Sequence, residues 1–315
     1  MPHDRRFRFG VICPGAGIAD AKAFSDLARK CEDLGYSTLF VPDHFVEHPF
    51  APSVALAHAA AVTTSLRVGP LVLGNDYKHP VVLAREMATL DLLSNGRLEL
   101  GIGAGWMTAD YEKAGMPYDR PGVRIARLAE SVTILKGLFA PGEFSFAGEH
   151  YTITGLDGHP KPVQQPVPFL IGGGGPKILA LAAREADTVG INANLRSGEG
   201  QSPDAISSLT ATATDQKLES LRAAAGARFD ELELQTLVGF THITDDASPI
   251  FEGMAGHFGV SPADARIAPV TLVGTQQEIE SLLHERRERW QISYAVIGAE
   301  SVDAFAPIVA RLRGN

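Results

Sequence analysis

The sequence predicts an α/β fold, and within that class a (β/α)8 TIM barrel. Short apolar runs alternate with longer amphipathic segments about eight times along the 315 residues. Such alternation implies a parallel sheet with crossover helices. Eight units in a chain of this length favour closure into a barrel over a doubly wound open sheet. No Pro-, Gly- or Ser-rich stretch reads as a linker, so one domain over residues 1–315 is expected, with insertions after strands four, six and seven.

Each element follows from local pattern. The run "FRFGVIC" (7–13) is strand one. In 21–34, Ala23, Leu27, Cys31 and Leu34 share a helical face, and Gly35 ends the helix. "STLFVPDH" (37–44) is strand two, and 53–65 is an alanine-rich helix. "LRVGPLVL" (66–73) is strand three. Pro80 opens the next helix at a position that needs no N–H, and Gly96 closes it. "LELGIGAG" (98–105) is strand four, followed by a helix over 123–139 and a hairpin excursion over 141–156. "PFLIGG" is strand five, with a helix from Pro176, and "TVGIN" (188–192) is strand six. A polar loop (196–203) leads to a helix over 205–225. "LELQTLVGFTHI" (232–243) is strand seven, 276–289 a helix, "ISYAVIG" (292–298) strand eight, and 302–313 the last helix.

Composition narrows the function. A net charge of −9 argues against non-specific nucleic-acid binding, which needs a clustered basic footprint. No apolar run reaches membrane-spanning length, and "MPHDRRFRFGVI" carries no signal-peptide core, so a cytoplasmic protein without membrane partners is expected. Two cysteines, Cys13 and Cys31, give neither a metal spacing nor a disulfide framework, and no metal site is expected.

In a barrel the active site lies where strands end, at the C-terminal rim. Asp43 and His44 follow strand two; Asn75, Asp76 and Tyr77 follow strand three; Trp106 follows strand four. Gly172 to Gly175 follow strand five, Asn192, Asn194 and Arg196 follow strand six, and Thr241 and His242 end strand seven. Asp43-His44 reads either as a proton-handling pair or as a turn with a capped histidine. The four glycines form either a backbone cradle for an anion before a helix N-terminus or a closely packed turn. The glycines of "GIGAGW" would leave space for a flat ligand, which Trp106 could wall. "HERRERW" (284–290) reads as the solvated face and end of a helix.

Four stretches, in order, carry a resemblance: "FVPDHF", "YKHPVVLAREMATLDLLSNGRLELGIGAGW", "PKPVQQPVPFLIGGGG" and "AAREADTVGIN". Together they resemble the luciferase-like monooxygenase superfamily, and within it the coenzyme F420-dependent oxidoreductases. The resemblance covers nearly the whole chain and is weakest over 198–228 and 244–268. It implies a luciferase-like barrel with a deazaflavin or flavin across the rim. Asp43 and His44 would border the ring, His44 as catalytic proton donor or hydrogen-bonding partner, Asp43 orienting it or the ring. A non-proline cis peptide at Val72–Leu73, continuing into Gly74, would support the ring's back face. Gly173, Gly174 and Gly175 would meet the phosphate-bearing tail, with Asn192 and a basic residue, Arg196, nearby. Trp106 stands where the superfamily's sugar-phosphate dehydrogenases carry a glutamate, which argues against that activity. The implied function is F420-dependent hydride transfer to or from a small organic substrate. The alternatives are a two-component monooxygenase using reduced FMN and a non-catalytic cofactor binder. A homodimer, and a reductase that supplies reduced cofactor, are the implied partners.

Overall fold

Parallel strands, each followed by a helix that returns over the outside, dominate the computed structural model, which describes residues 5–46 and 48–315. Residues 1–4, part of the segment read above for a signal peptide, and Glu47 lie outside the described residues. In chain order the first half contains β1 (Arg8–Ile12), α1 (Ala21–Asp33), β2 (Thr38–Val41), α2 (Pro52–Val62), β3 (Arg67–Pro70), β4 (Leu73–Gly74), α3 (Pro80–Leu93), β5 (Leu100–Gly103), α4 (Thr108–Ala114), α5 (Pro121–Phe139), and a hairpin of β6 (Glu143–Ala147) and β7 (Thr152–Asp157). Then come β8 (Phe169–Gly173), α6 (Pro176–Glu185), β9 (Thr188–Ile191), α7 (Pro203–Ser207), α8 (Ala211–Ala225), β10 (Glu233–Leu237), β11 (Phe240–Ile243), α9 (Ser248–Phe258), α10 (Pro262–Ile267), β12 (Thr271–Gly274), α11 (Gln276–Trp290), β13 (Ile292–Gly298) and α12 (Val302–Leu312).

The main sheet runs β3-β2-β1-β13-β10-β9-β8-β5-β4, all parallel. Its two ends, β3 and β4, are halves of one strand, and a bridge between Val68 and Leu98 joins β3 to the approach of β5. The sheet is therefore a nearly closed barrel, as the βα alternation requires. Phe40, Leu71, Leu170, Tyr294 and Val296 fill its interior, while a larger apolar layer lies between the strands and the helices.

Three predicted elements differ from the sequence reading, the first being strand three, which is interrupted between Pro70 and Leu73. Strand seven ends at Leu237, not Ile243. Val238 still donates to the Val296 carbonyl, but Phe240 donates to Val270, so β11 leaves the barrel and pairs with β12. The helix expected over 205–225 is two, α7 and α8, separated where Thr210 caps α8 by accepting from Ala213 N at 3.3 Å. The arginine cluster on α11 is only partly solvated. Arg286 is buried and donates to the carbonyls of Ala268 (2.7 Å), Thr271 (2.5 Å) and Pro269 (3.1 Å). Among the described residues, no helix is long and apolar enough to cross a membrane.

The N-terminal face of the barrel is closed by charge. Buried Glu99 pairs with Arg8 and with Arg67 (2.8 Å), and accepts from Thr38 Oγ1 (3.1 Å) and Tyr294 OH (3.2 Å). Arg8 also pairs with Glu233 at 2.6 Å. One carboxylate thus ties the starts of β1, β2, β3 and β13. Removing one partner of such a buried network leaves the other charges desolvated and unpaired, which costs more than the pair's net worth. Glu99→Leu is expected to lower unfolding free energy by about 3 kcal/mol, read from the urea midpoint. A midpoint equal to wild type would show that the barrel closes without this network.

Candidate active site

The C-terminal rim gathers side chains from the exits of β2, β4 and β5. His44, just after β2, is tied through Nδ1 to Oδ2 of Asp110 at 2.6 Å. Asp110 sits in the first turn of α4, fully buried. Its other oxygen accepts from the backbone N–H groups of Phe45 (2.9 Å) and Val46 (3.0 Å), and Tyr77 OH donates to Oδ2 at 3.1 Å. Burial alone would raise this carboxyl. The hydrogen bonds from His44, Val46 and Phe45 outweigh burial and hold its pKa below the ordinary 3.8. An ionised carboxylate can only accept, so the shared proton belongs to His44 Nδ1. Nε2 is the ring nitrogen left over for a ligand at the rim.

Trp106 stands edge-on to the His44 ring, with centroids 5.3 Å apart. Its position is fixed from behind, because Tyr118 OH donates to the Trp106 carbonyl at 2.8 Å. A second polar chain supports the same turn. Tyr111 OH donates to Asp76 (3.1 Å), and Arg127 bridges Asp76 (2.8 Å) and Asp119 (2.5 Å).

Asp43 does not contact His44 through a hydrogen bond. Its Oδ2 accepts from Gly74 N at 3.0 Å, pinning the exit of β2 to that of β4. Burial raises its pKa, against the lowering effect of that N–H. The non-proline cis peptide lies at Leu71–Val72, one residue before the Val72–Leu73 position expected from sequence. Leu71 and Val72 pack with the barrel interior, whereas buried Leu73 belongs to the outer apolar layer and offers no side chain to the rim.

The glycines behave differently from expectation. Those of β5 do not leave space for a ligand. A Cβ on Gly101 would lie 2.1 Å from the Pro70 carbonyl, and one on Gly103 2.7 Å from Val72. They admit the chain's own interrupted strand. None of Gly172 to Gly175 has positive φ. Gly173 is required by Ile178 of α6 (2.4 Å), and Gly174 by the backbone of Asn192 and Ala193 (2.3–2.4 Å). Around Gly175 there is room, the nearest atom being Asn194 Oδ1 at 3.6 Å. Gly175 caps α6 with extended backbone and no side-chain hydrogen bond, so the positive end of α6 opens there. Asn192 flanks the glycines, its Nδ2 3.1 Å from the Cβ position of Gly172. Arg196 is exposed on the loop beyond. Thr241 and His242 travel with β11 and leave the group.

Two cavities lie elsewhere. One of 570 Å³ is lined by Arg5, Arg6, Arg8 and Arg313, and another of 420 Å³ by Arg67, Glu99 and Gln164. Both sit at the N-terminal face, where side chains serve closure. The tuned carboxylate, the imidazole and the open helix terminus are all at the opposite face, and that is where chemistry is placed. Among the described residues no group of three His, Cys, Asp or Glu side chains could hold a metal ion.

The sequence match decides the ancestry. Residues 7–248 match the luciferase-like monooxygenase family. The chain belongs to that family. This luciferase-like protein is 34% identical over 170 residues to the F420-dependent glucose-6-phosphate dehydrogenase of Amycolatopsis mediterranei (strain U-32), a stretch covering 51% of this chain. It spans about half the length of that relative, 50%. Its fold is similar to the F420-dependent tetrahydromethanopterin reductase from Methanopyrus kandleri (TM-score 0.77, 18% identity, 98% of this chain and 99% of that one). It is also similar to an F420-dependent secondary alcohol dehydrogenase in complex with an F420-acetone adduct (TM-score 0.76, 18% identity, 98% and 100%).

Asp110 is the site residue that sequence reasoning missed. The available signal was an acidic residue four positions after Trp106, at the start of a short helical pattern. Because its folded pKa is depressed, Asp110 contributes stability that is present above pH 3.8 and lost as pH falls through the folded value. In acid titrations of thermal stability, Asp110→Asn is expected to remove part of the wild-type decline below about pH 4. An unchanged acid limb would show that the carboxylate is not held as described.

Proposed function

We propose that this luciferase-like oxidoreductase uses coenzyme F420 to transfer a hydride to or from a small organic substrate at the C-terminal rim. The observation that carries the reading is His44, locked through Nδ1 onto buried Asp110 beside the Trp106 ring. The deazaflavin, when bound, supplies the hydride chemistry. The chain's own residues bind, orient and handle the proton. His44 Nε2 is the group free to exchange a proton with, or hydrogen-bond, the substrate oxygen. Asp110 holds the imidazole in one tautomer and orientation. Asp43 and Gly74 brace the two loops that flank the ring's place.

The rim offers features that fit such a group. Asn75 Nδ2, buried beside Gly74, has no partner among the described residues. The space at Gly175, in front of the α6 terminus, suits a phosphate. Trp106 fits a flat or apolar substrate better than a sugar phosphate. Sequence likeness to F420-dependent glucose-6-phosphate dehydrogenases supports F420 over FMN.

The test compares dissociation constants of the purified protein for F420 and FMN, then turnover with the tighter one. F420 is expected to bind more tightly, and tighter FMN binding would replace this reading with a flavin-dependent one. His44→Ala should cut kcat by about 10²-fold or more while leaving cofactor affinity near wild type. Wild-type turnover would remove His44 from the chemistry. Binding with no turnover on any substrate would favour a cofactor-sequestering role.

We also propose a homodimer. Val54 on α2 and Val82, Leu92 and Leu93 on α3 are exposed apolar side chains on neighbouring helices. Light scattering should give twice the chain mass, and Leu93→Glu should shift it toward the monomer; a monomeric wild type would refute the dimer.

A further inference from the structure

Lys217 on α8 is 8% exposed, a rare state for lysine without an acidic partner. Among the described residues no carboxylate pairs with it. Its Nζ donates to two backbone carbonyls, Asn192 O at 2.6 Å and Ser208 O at 2.5 Å. An ammonium has three N–H donors, so the two carbonyls leave one over. Burial pushes its pKa down to about 8.

The position of this charge matters. Asn192 O, which accepts from Lys217, is the same atom that lies 2.3 Å from the Cβ position of Gly174. The glycine cradle, the β9 exit and the lysine therefore meet at one carbonyl. α8 packs alongside α6, whose N-terminus opens at Gly175. Ser208 closes the same corner, since its Oγ accepts from Asn194 N at 2.8 Å. Arg196, the cation that the sequence offers for this role, is exposed on the loop.

We propose that Lys217 is the positioning cation of the phosphate end of the cofactor site, holding the β9 exit against the glycines and supplying the counter-charge for a phosphate anion at Gly175. The inference rests on the cofactor reading above. A phosphate there would meet the helix N-terminus, with the desolvated ammonium one hydrogen bond away behind the Asn192 carbonyl, where water screens it less than it screens exposed Arg196. The anion in turn compensates a charge that the fold leaves without a carboxylate.

The experiment measures dissociation constants for two matched pairs of probes: FMN with riboflavin, and the 5′-phosphate of the deazaflavin chromophore with the unphosphorylated chromophore. Wild type is expected to prefer the phosphorylated member of the better-binding pair. Lys217→Met should lose about ten-fold affinity for that member and little for its phosphate-free counterpart. Lys217→Gln keeps amide donors for the carbonyls without the charge. It should show the same selective loss, and it serves if the Met variant does not fold. An equal loss on both members would make Lys217 a structural clip and overturn the proposal. So would a selective loss in Arg196→Met with none in the Lys217 variants. A wild type with no phosphate preference in either pair would defeat the reading of the cradle itself, and this proposal with it. A preference retained in both Lys217 variants would defeat only this proposal.

Discussion

The seam between the interrupted strand and β5 constrains everything at the rim. Closing the barrel there brings the β3–β4 backbone so near to β5 that three positions admit no side chain. A Cβ on Gly69 would lie 2.2 Å from the Glu99 carbonyl, one on Gly101 2.1 Å from the Pro70 carbonyl, and one on Gly103 2.7 Å from the Val72 side chain. Close packing of this kind cannot relax around an added methyl group without moving backbone. With the seam shut, Val72 lies in the barrel interior and Gly74 N faces Asp43. The turn Asn75–Tyr77 then starts at the rim, which brings Tyr77 OH to Asp110. Glycines that could pass for room for a ligand are what lets the seam close and sets the rim residues one layer above them.

Above the seam, one buried carboxylate organises the site. Asp110 accepts from His44, Tyr77 and two backbone N–H groups, so four donors from two loops converge on one side chain. A carboxylate satisfied to that extent stays ionised despite burial. Its ionisation fixes the imidazole tautomer, and the tautomer fixes which nitrogen can meet a substrate. The chemistry assigned to His44 is thus a consequence of the β2 and β4 exits being held together. The charged network around Glu99 does comparable work at the far face for closure. The two faces divide stability from reactivity, as barrels of this type do.

The fold was legible because the βα period is a long-range pattern carried by apolar residues. Gly35, Pro80 and Gly96 punctuated it in the expected places. What failed were features decided by tertiary pairing. β11 has strand composition, yet its partner is β12 rather than β13, and nothing within residues 240–243 records that choice. At the site, Asp43, His44 and Trp106 could be read because rim residues follow strands directly. Asp110 lies on a helix, and its role appears only once α4 folds back over the β2 exit. Lys217 is further still. It lies on α8, where an isolated lysine in "DQKLES" looks like any solvated helical residue. Burial of an unpaired charge is a property of packing, and sequence patterns do not encode it.

The glycine quartet shows how one motif can serve two purposes. Gly173 and Gly174 lack side chains because α6 and the β9 exit come too close, which is a demand of the fold alone. That same closeness places the Asn192 carbonyl, which accepts from the Lys217 ammonium, beside Gly174. Only Gly175 has open space in front of it, and that space faces the positive helix terminus. The packed-turn and anion-cradle readings of the glycines are therefore not rivals. Tight packing at the first residues of the turn leaves the last one open at the helix terminus, with a desolvated ammonium held on the carbonyl that the turn packs against.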